Sequence, residues 1–175
     1  DPVMGDYGRG FFVRKGIPEI LKEKIMEHAD ILTPNQFELE ALTGVKISNP
    51  DDARRACAIL HESGPKIVLV TSYRDAESVD NAIDMLVSDS HDIYRIRTPE
   101  LSFEVTPNGA GDLSAARFLC RYLESNDAAL ALQKTAASVF GVMKKTYEAS
   151  RRELDLIAAQ EELVHPSEEF SIYKL

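Results

Sequence analysis

Residues 66–72, "KIVLVTS", carry an unbroken apolar run from Ile67 to Val70 that is too short for a helix and too apolar for a half-exposed strand. Such a run suits a strand covered on both faces, as inside a parallel sheet flanked by helices. The upstream segments supply those helices. "IPEILKEKIMEHA" places Ile17, Ile20, Leu21, Ile25 and Met26 near one face at helical spacing, with Pro18 in the first turn. "DILTPN" reads as a short strand ended by Pro34, and "QFELEALTG" as a short helix closed by Gly44. "NPDDARRACAILHESG" reads as a helix capped by Asn49, begun by Pro50 and stopped by Gly64. Helix and strand alternate up to Val70, which implies βαβ units, a mostly parallel central sheet and helices on both faces.

Further on, "AIDMLVSDSHDIYRIRTPEL" predicts two strands joined by the polar turn "SDSHD". "FEVTPNGAGDLSAARFLCRYL" passes from strand-like to helix-like at its glycines, and "DAALALQKTAASVFGVMKKTYE" and "RELDLIAAQEEL" predict two more helices. The only loop ahead of the first helix is punctuated by Gly5, Gly8 and Gly10. Without a repeat, a low-complexity block or an interdomain linker, residues 1–175 read as one domain.

Composition narrows the function. A hydrophobic share of 44% with 28% charged residues is globular, and a net charge of −9 disfavours nucleic acid and anionic membrane as partners. No apolar run approaches the roughly 18 residues of a membrane-spanning helix. Cys57 and Cys120 lie far apart in apolar helical patterns, so neither a disulfide framework nor a zinc cluster is supported; the expected compartment is reducing and cytoplasmic. His28, His61, His91 and His165 are scattered without metal spacing. Neither a Walker-type loop nor a G-x-S-x-G elbow around Ser114 is present.

In an open α/β sheet, ligands bind beyond the carboxyl ends of the strands. The loops that fall there carry polar groups. In "NGAGD", Gly109, Ala110 and Gly111 let backbone approach a ligand closely, and free N–H groups at a helix start favour an anion such as phosphate. Asp112 would repel that anion, so it is either a plain N-cap or a general base toward a hydroxyl that attacks a phosphoryl group. In "TPNQFELE", Asn35 and Glu38 form a capping-box pattern or supply oxygens near Mg²⁺, which needs only one or two carboxylates when phosphates and waters complete its shell. Asp1 and Asp6 flank the "DPVMGD" turn as acceptors for cations or as loop residues, and Thr71 and Ser72 end an apolar strand with hydroxyls for phosphate or for the turn itself.

Taken together, "DPVMGD", "ADILTPNQFELEALTG", "IVLVTS", "GAGDLSAA" and the closing "EEFSIYKL" resemble pyridoxal kinases of the ribokinase-like superfamily, in that family's order and at about its spacing. The resemblance spans essentially the whole chain. It implies a three-layer αβα fold and ATP-dependent phosphorylation of the 5′-hydroxyl of pyridoxal or a related vitamer. Asp112 is then the base, and Gly109, Ala110 and Gly111 form the hole for the γ-phosphate. Asn35 and Glu38 act at the Mg-ATP phosphates, with Asp6 a second carboxylate on the magnesium side. Asp1, Thr33 and Thr71 match positions lining a site for a monovalent cation, K⁺ or Na⁺, and for phosphate; Thr71 with Ser72 contacts ATP. The segment Phe103, Glu104 and Val105 resembles the wall that holds adenine and ribose. A homodimer is also implied.

The sequence departs from that family in places. Phe12 stands where animal-type members have a nucleotide-contacting tyrosine, and Pro107 and Asn108 replace more apolar residues ahead of the glycines. Hydroxymethylpyrimidine kinases share the DPVM-like turn and the TPN-type segment but typically have cysteine where Asp112 stands. The family's N-terminal portion, which supplies much of the pyridoxal pocket and several central strands, has no counterpart here. The chain therefore reads as a piece of a longer protein, with one side of its sheet exposed and poor stability alone.

Overall fold

A computed structural model describes residues 1–175. The chain begins with a two-stranded antiparallel ribbon, β1 (Gly5–Asp6) and β2 (Gly10–Phe11). A short helix α1 (Ile17–Ile20) continues into a π turn over Leu21–Ile25 and a 3₁₀ turn over Met26–His28. Then follow β3 (Ile31–Leu32), α2 (Gln36–Thr43), α3 (Pro50–Ser63), β4 (Ile67–Tyr73), β5 (Ala82–Ser88) and β6 (Ile93–Pro99). The last elements are α4 (Ala110–Ser125), α5 (Ala128–Glu148), α6 (Gln160–Val164) and β7 (Ile172–Lys174).

The main sheet runs in the order β3-β4-β5-β6-β7 and is covered on both faces. Strand alternation explains how: Val68 and Val70 pack on one face with Leu39 and Leu42 of α2 and Ala56 and Leu60 of α3. Ile67 and Leu69 pack on the other face with Phe118 of α4 and Ala131, Leu132 and Ala136 of α5. The central run of β4 is thus apolar throughout because each residue faces a helix layer, and each fully buried leucine contributes on the order of 2 kcal/mol. The three-layer α/β arrangement expected from the sequence is present.

Its sheet, however, is mixed. Only β3 and β4 are parallel, with Ile31 opposite Ile67; the pairs β4-β5, β5-β6 and β6-β7 are antiparallel. The connections differ accordingly: β3 and β4 are joined by a crossover through α2 and α3, β4-β5 and β5-β6 by loops without a helix, and β7 follows α4–α6 to enter the sheet antiparallel to β6. The turn between β5 and β6 is instead a tight one in which Asp89 accepts the N–H groups of His91 and Asp92, with Ser90 at a φ of 75°.

Other expectations shift locally. The first amphipathic segment closes only one α-turn, and Ile17, Ile20 and Ile25 remain exposed. Of "RELDLIAAQEEL", only the end is helical; Leu156 and Ile157 are exposed, while the preceding stretch runs beside the glycine loop through a bridge between Asn108 and Glu153. No helix is long and apolar enough to cross a membrane.

Candidate active site

β3 and β4 end at the same edge of the sheet, and β6 ends there too because two antiparallel reversals restore its direction. A cavity of about 530 Å³ opens at this edge. Its lining brings together Asp6 from the ribbon, Asn35 at the start of α2, Thr71 and Ser72 near the end of β4, Phe103, and Gly109, Ala110 and Gly111. These residues come from five separate stretches of sequence, all but Phe103 falling at a strand end or a helix start.

Gly109 is the N-cap of α4 at a φ of 95°, a left-handed conformation that favours glycine, and no side chain caps the helix. The first backbone bond of α4 runs from Leu113 N–H to the Gly109 carbonyl. The N–H groups of Ala110, Gly111 and Asp112 therefore precede the hydrogen-bonded ladder and sit at the positive end of a 16-residue helix, a favourable seat for an anion. Asp112 is not the N-cap that one reading of the sequence allowed: it is the third residue of the helix, exposed, and its side chain caps nothing. Its carboxylate is left open to solvent immediately beyond the cavity-lining Gly111.

Asn35 and Glu38 form a complete capping box. Asn35 Oδ1 accepts the Glu38 N–H at 2.9 Å, and Glu38 Oε2 accepts the Asn35 N–H at 2.9 Å. Glu38 Oε1 also accepts the N–H of Met4 at 2.9 Å, while Asn35 Nδ2 donates to the Gly5 carbonyl at 2.9 Å. The pair thereby ties the ribbon to the start of α2 and sets Asp6 at the cavity. Burial holds the Glu38 carboxyl above the usual carboxylate range; the backbone N–H donors oppose this, and the nearby Asp6 charge adds to it.

Other predicted residues lie around this frame. Thr33 is buried at the end of β3, and its Oγ1 has no hydrogen-bond partner. Thr71 N–H donates to the Pro34 carbonyl at 3.0 Å, and the β4-β5 register shifts between Val70 and Tyr73, which turns Thr71 and Ser72 out of the regular ladder toward the cavity. Phe103 packs edge-on to Tyr147 with ring centroids 5.3 Å apart. Its neighbours Glu104 and Val105 are exposed and lie outside the cavity, so only Phe103 of the expected wall faces it. Asp1 is likewise exposed and outside the lining.

Several lining residues escaped the sequence reading: Arg9, the strand end Thr98–Leu101, and Phe140 and Met143 of α5. The rule that strand ends carry the site also covers Thr98–Leu101, provided that β6 is recognised as running with β4. Phe140 and Met143 had no such signal, because they belong to an ordinary apolar helix face.

The donor set suits a hard cation held mainly by ligands other than protein. No group of three or more His, Cys, Asp or Glu side chains is poised around a metal. Asp6 offers an exposed carboxylate, and Glu38, with its oxygens already taken by N–H groups, suits contact through water, the manner of Mg²⁺ at nucleotide phosphates. The unpartnered, buried Thr33 hydroxyl fits a monovalent cation.

The model of the phosphomethylpyrimidine kinase family matches residues 1–155. The chain is 48% identical over 171 residues to the pyridoxal kinase PdxY of Granulibacter bethesdensis, covering 95% of this chain and 59% of that protein. It is 43% identical over 175 residues to the PdxY of Corynebacterium diphtheriae, covering 100% and 61%. The pyridoxal kinase of Leishmania donovani in complex with ADP and pyridoxine superposes with a TM-score of 0.85 at 29% identity, over 100% of this chain and 60% of that one. The chain thus spans 59–61% of the length of these relatives. With the family model matched over most of its length and the fold shared with a pyridoxal kinase structure, the chain belongs to the phosphomethylpyrimidine kinase family.

Proposed function

We propose that the native polypeptide containing residues 1–175 transfers the γ-phosphoryl group of ATP to the 5′-hydroxyl of pyridoxal or a related B6 vitamer, giving pyridoxal 5′-phosphate. The observation that carries this reading is the convergence of the first turn of α4, Thr71 and Ser72, and Asp6 and Asn35 on one cavity, with the exposed Asp112 next in sequence to the cavity-lining Gly111. The names of the relatives, and the ADP and pyridoxine bound to the Leishmania protein, support it further.

In this mechanism Asp112 accepts the proton of the 5′-hydroxyl as its oxygen attacks the γ-phosphorus. The N–H groups of Ala110, Gly111 and Asp112 hold the charge on the phosphoryl oxygens, with the helix dipole behind them. Thr71 and Ser72 donate to the other phosphates, Asn35 fixes the ribbon that carries Asp6, and Phe103 offers an apolar surface to the nucleobase. Asp6, and Glu38 through water, would hold Mg²⁺; Thr33 with Thr71, and Asp1 after rearrangement of the first residues, would serve a K⁺ or Na⁺ ion. These cations, when bound, neutralise phosphate charge. Most of the rate enhancement comes from positioning and preorganised electrostatics. A cytoplasmic homodimer completes the reading.

The test is a phosphorylation assay on the native protein with ATP and a panel of alcohols: pyridoxal, pyridoxine, pyridoxamine, hydroxymethylpyrimidine and simple sugars. The expected result is the highest kcat/KM on a B6 vitamer. Preference for hydroxymethylpyrimidine would move the activity to the other branch of the family, and preference for a sugar would overturn the assignment.

A further inference from the structure

A cavity meant for a polyphosphate should be rich in cations, yet this one has a single basic side chain in its lining, Arg9. The other arginines at this end of the sheet are already engaged: Arg74 with Glu100, and Arg95 and Arg97 with Asp84. Asp6 and Glu100 add negative charge to the lining, so the local balance disfavours phosphate unless a cation is directed at it.

Arg9 sits in the tip of the β1-β2 ribbon between two glycines in left-handed conformations, Gly8 at a φ of 87° and Gly10 at 68°. Neither glycine has an atom within 4 Å of the place a side chain would occupy, and the Arg9 side chain is exposed and engaged in no hydrogen bond or ion pair. The ribbon is anchored at both its turn and its strands. Phe37 of α2 packs edge-on against Tyr7 and Phe11 with centroids 5.8 and 5.1 Å away, and Asn35 bonds to the Gly5 carbonyl. An anchored ribbon thus carries an unpaired guanidinium to the cavity, where it is available to a phosphoryl group.

We propose that Arg9 is a catalytic residue that binds the equatorial oxygens of the transferring phosphoryl group, an inference that rests on the kinase reading above. In the step it serves, a bond forms between the acceptor oxygen and the γ-phosphorus while the bond from that phosphorus to the β-γ bridging oxygen breaks. The hydroxyl proton passes to Asp112, and ADP leaves with the bridging oxygen. Negative charge shifts onto the β-γ bridge and the γ-oxygens as this happens, and a guanidinium offers paired donors to those oxygens.

Arg9→Ala and Arg9→Lys in the native protein test the role, with kcat, KM for ATP and the dissociation constant for ADP measured in parallel. The expected result is a fall in kcat on the order of 10²-fold for Arg9→Ala, comparable to the loss of one preorganised donor. ADP binding is expected to stay within about threefold, since ADP lacks the transferring group. Arg9→Lys, or added guanidinium ion with Arg9→Ala, is expected to restore part of the rate. An unchanged kcat in Arg9→Ala, or a rise in the KM for ATP matched by an equal loss of ADP affinity, would overturn the proposal while leaving the kinase reading intact. A native protein that binds ADP but phosphorylates no alcohol in the panel would overturn both.

Discussion

Asn35 and Glu38 hold each other's backbone, each side chain accepting the other's N–H at 2.9 Å, and Glu38 extends the same carboxylate to the N–H of Met4. One acidic side chain thus terminates a helix and anchors the strand that bears Asp6. Replacing Glu38 with alanine leaves these N–H groups without acceptors in a buried place, and a loss of about 3 kcal/mol in unfolding free energy is expected from chemical denaturation. Because burial raises the Glu38 pKa, the folded state holds this proton more tightly than the unfolded chain does. The associated stability is full in acid and is lost as pH rises through the folded pKa, so Glu38→Ala is also expected to flatten that part of the pH-stability profile.

Gly111 separates stability from function. A side chain added there meets nothing within 4 Å, and the residue is helical and exposed. Gly111→Ala is therefore expected to leave the melting temperature unchanged or raise it, with helix propensity adding up to about 1 kcal/mol of stability. The same methyl would stand where a phosphate approaches the N–H groups of the first turn, so kcat/KM for ATP is expected to fall by about tenfold or more. Parallel thermal and kinetic measurements check whether the two quantities part in this way.

How much of this was legible beforehand depends on where each signal originates. The helix starts at Asn49 and Asn35 and the stop at Gly44 are written in a few adjacent residues, and the structure has all of them. The β5-β6 hairpin was equally local, with its turn at Asp89–Asp92. The sheet's mixed character was not local: an apolar strand such as β4 looks the same whether its neighbours are parallel or antiparallel, since burial on both faces sets its composition. Helical periodicity misled at Leu156 and Ile157, where the chain follows the glycine loop and leaves these side chains exposed. Within the site, the strand-end loops gave away Asp6, Asn35, Thr71, Ser72 and the glycines, whereas Arg9 was hidden because its place in the cavity depends on the ribbon's tertiary anchor on Phe37.

Asp84 is a buried carboxylate that binds Arg95 and Arg97 together, and Arg95 reaches on to Asp75 in the loop after β4. The two arginines hold its pKa down against the effect of burial. Asp84→Ala would leave Arg95 buried with one partner fewer, and a destabilisation of about 3–5 kcal/mol is expected in denaturant titration.

The cysteines are expected to react differently. Burial pushes the Cys57 thiol up to about 12, and the residue is almost wholly buried, whereas Cys120 is exposed on α4. Mass spectrometry after a short treatment with iodoacetamide is expected to show modification at Cys120 alone in the folded protein and at both after denaturation.

The central claim is that Asp112, uncapped at the first turn of α4, takes the proton from the attacking hydroxyl. Asp112→Asn keeps the size and the helix start but removes the base, so turnover in the native protein is the most direct measurement. The expected result is a fall in kcat on the order of 10²-fold or more, with ADP binding and melting temperature close to those of the unmodified protein. Near-normal kcat in Asp112→Asn would contradict the claim.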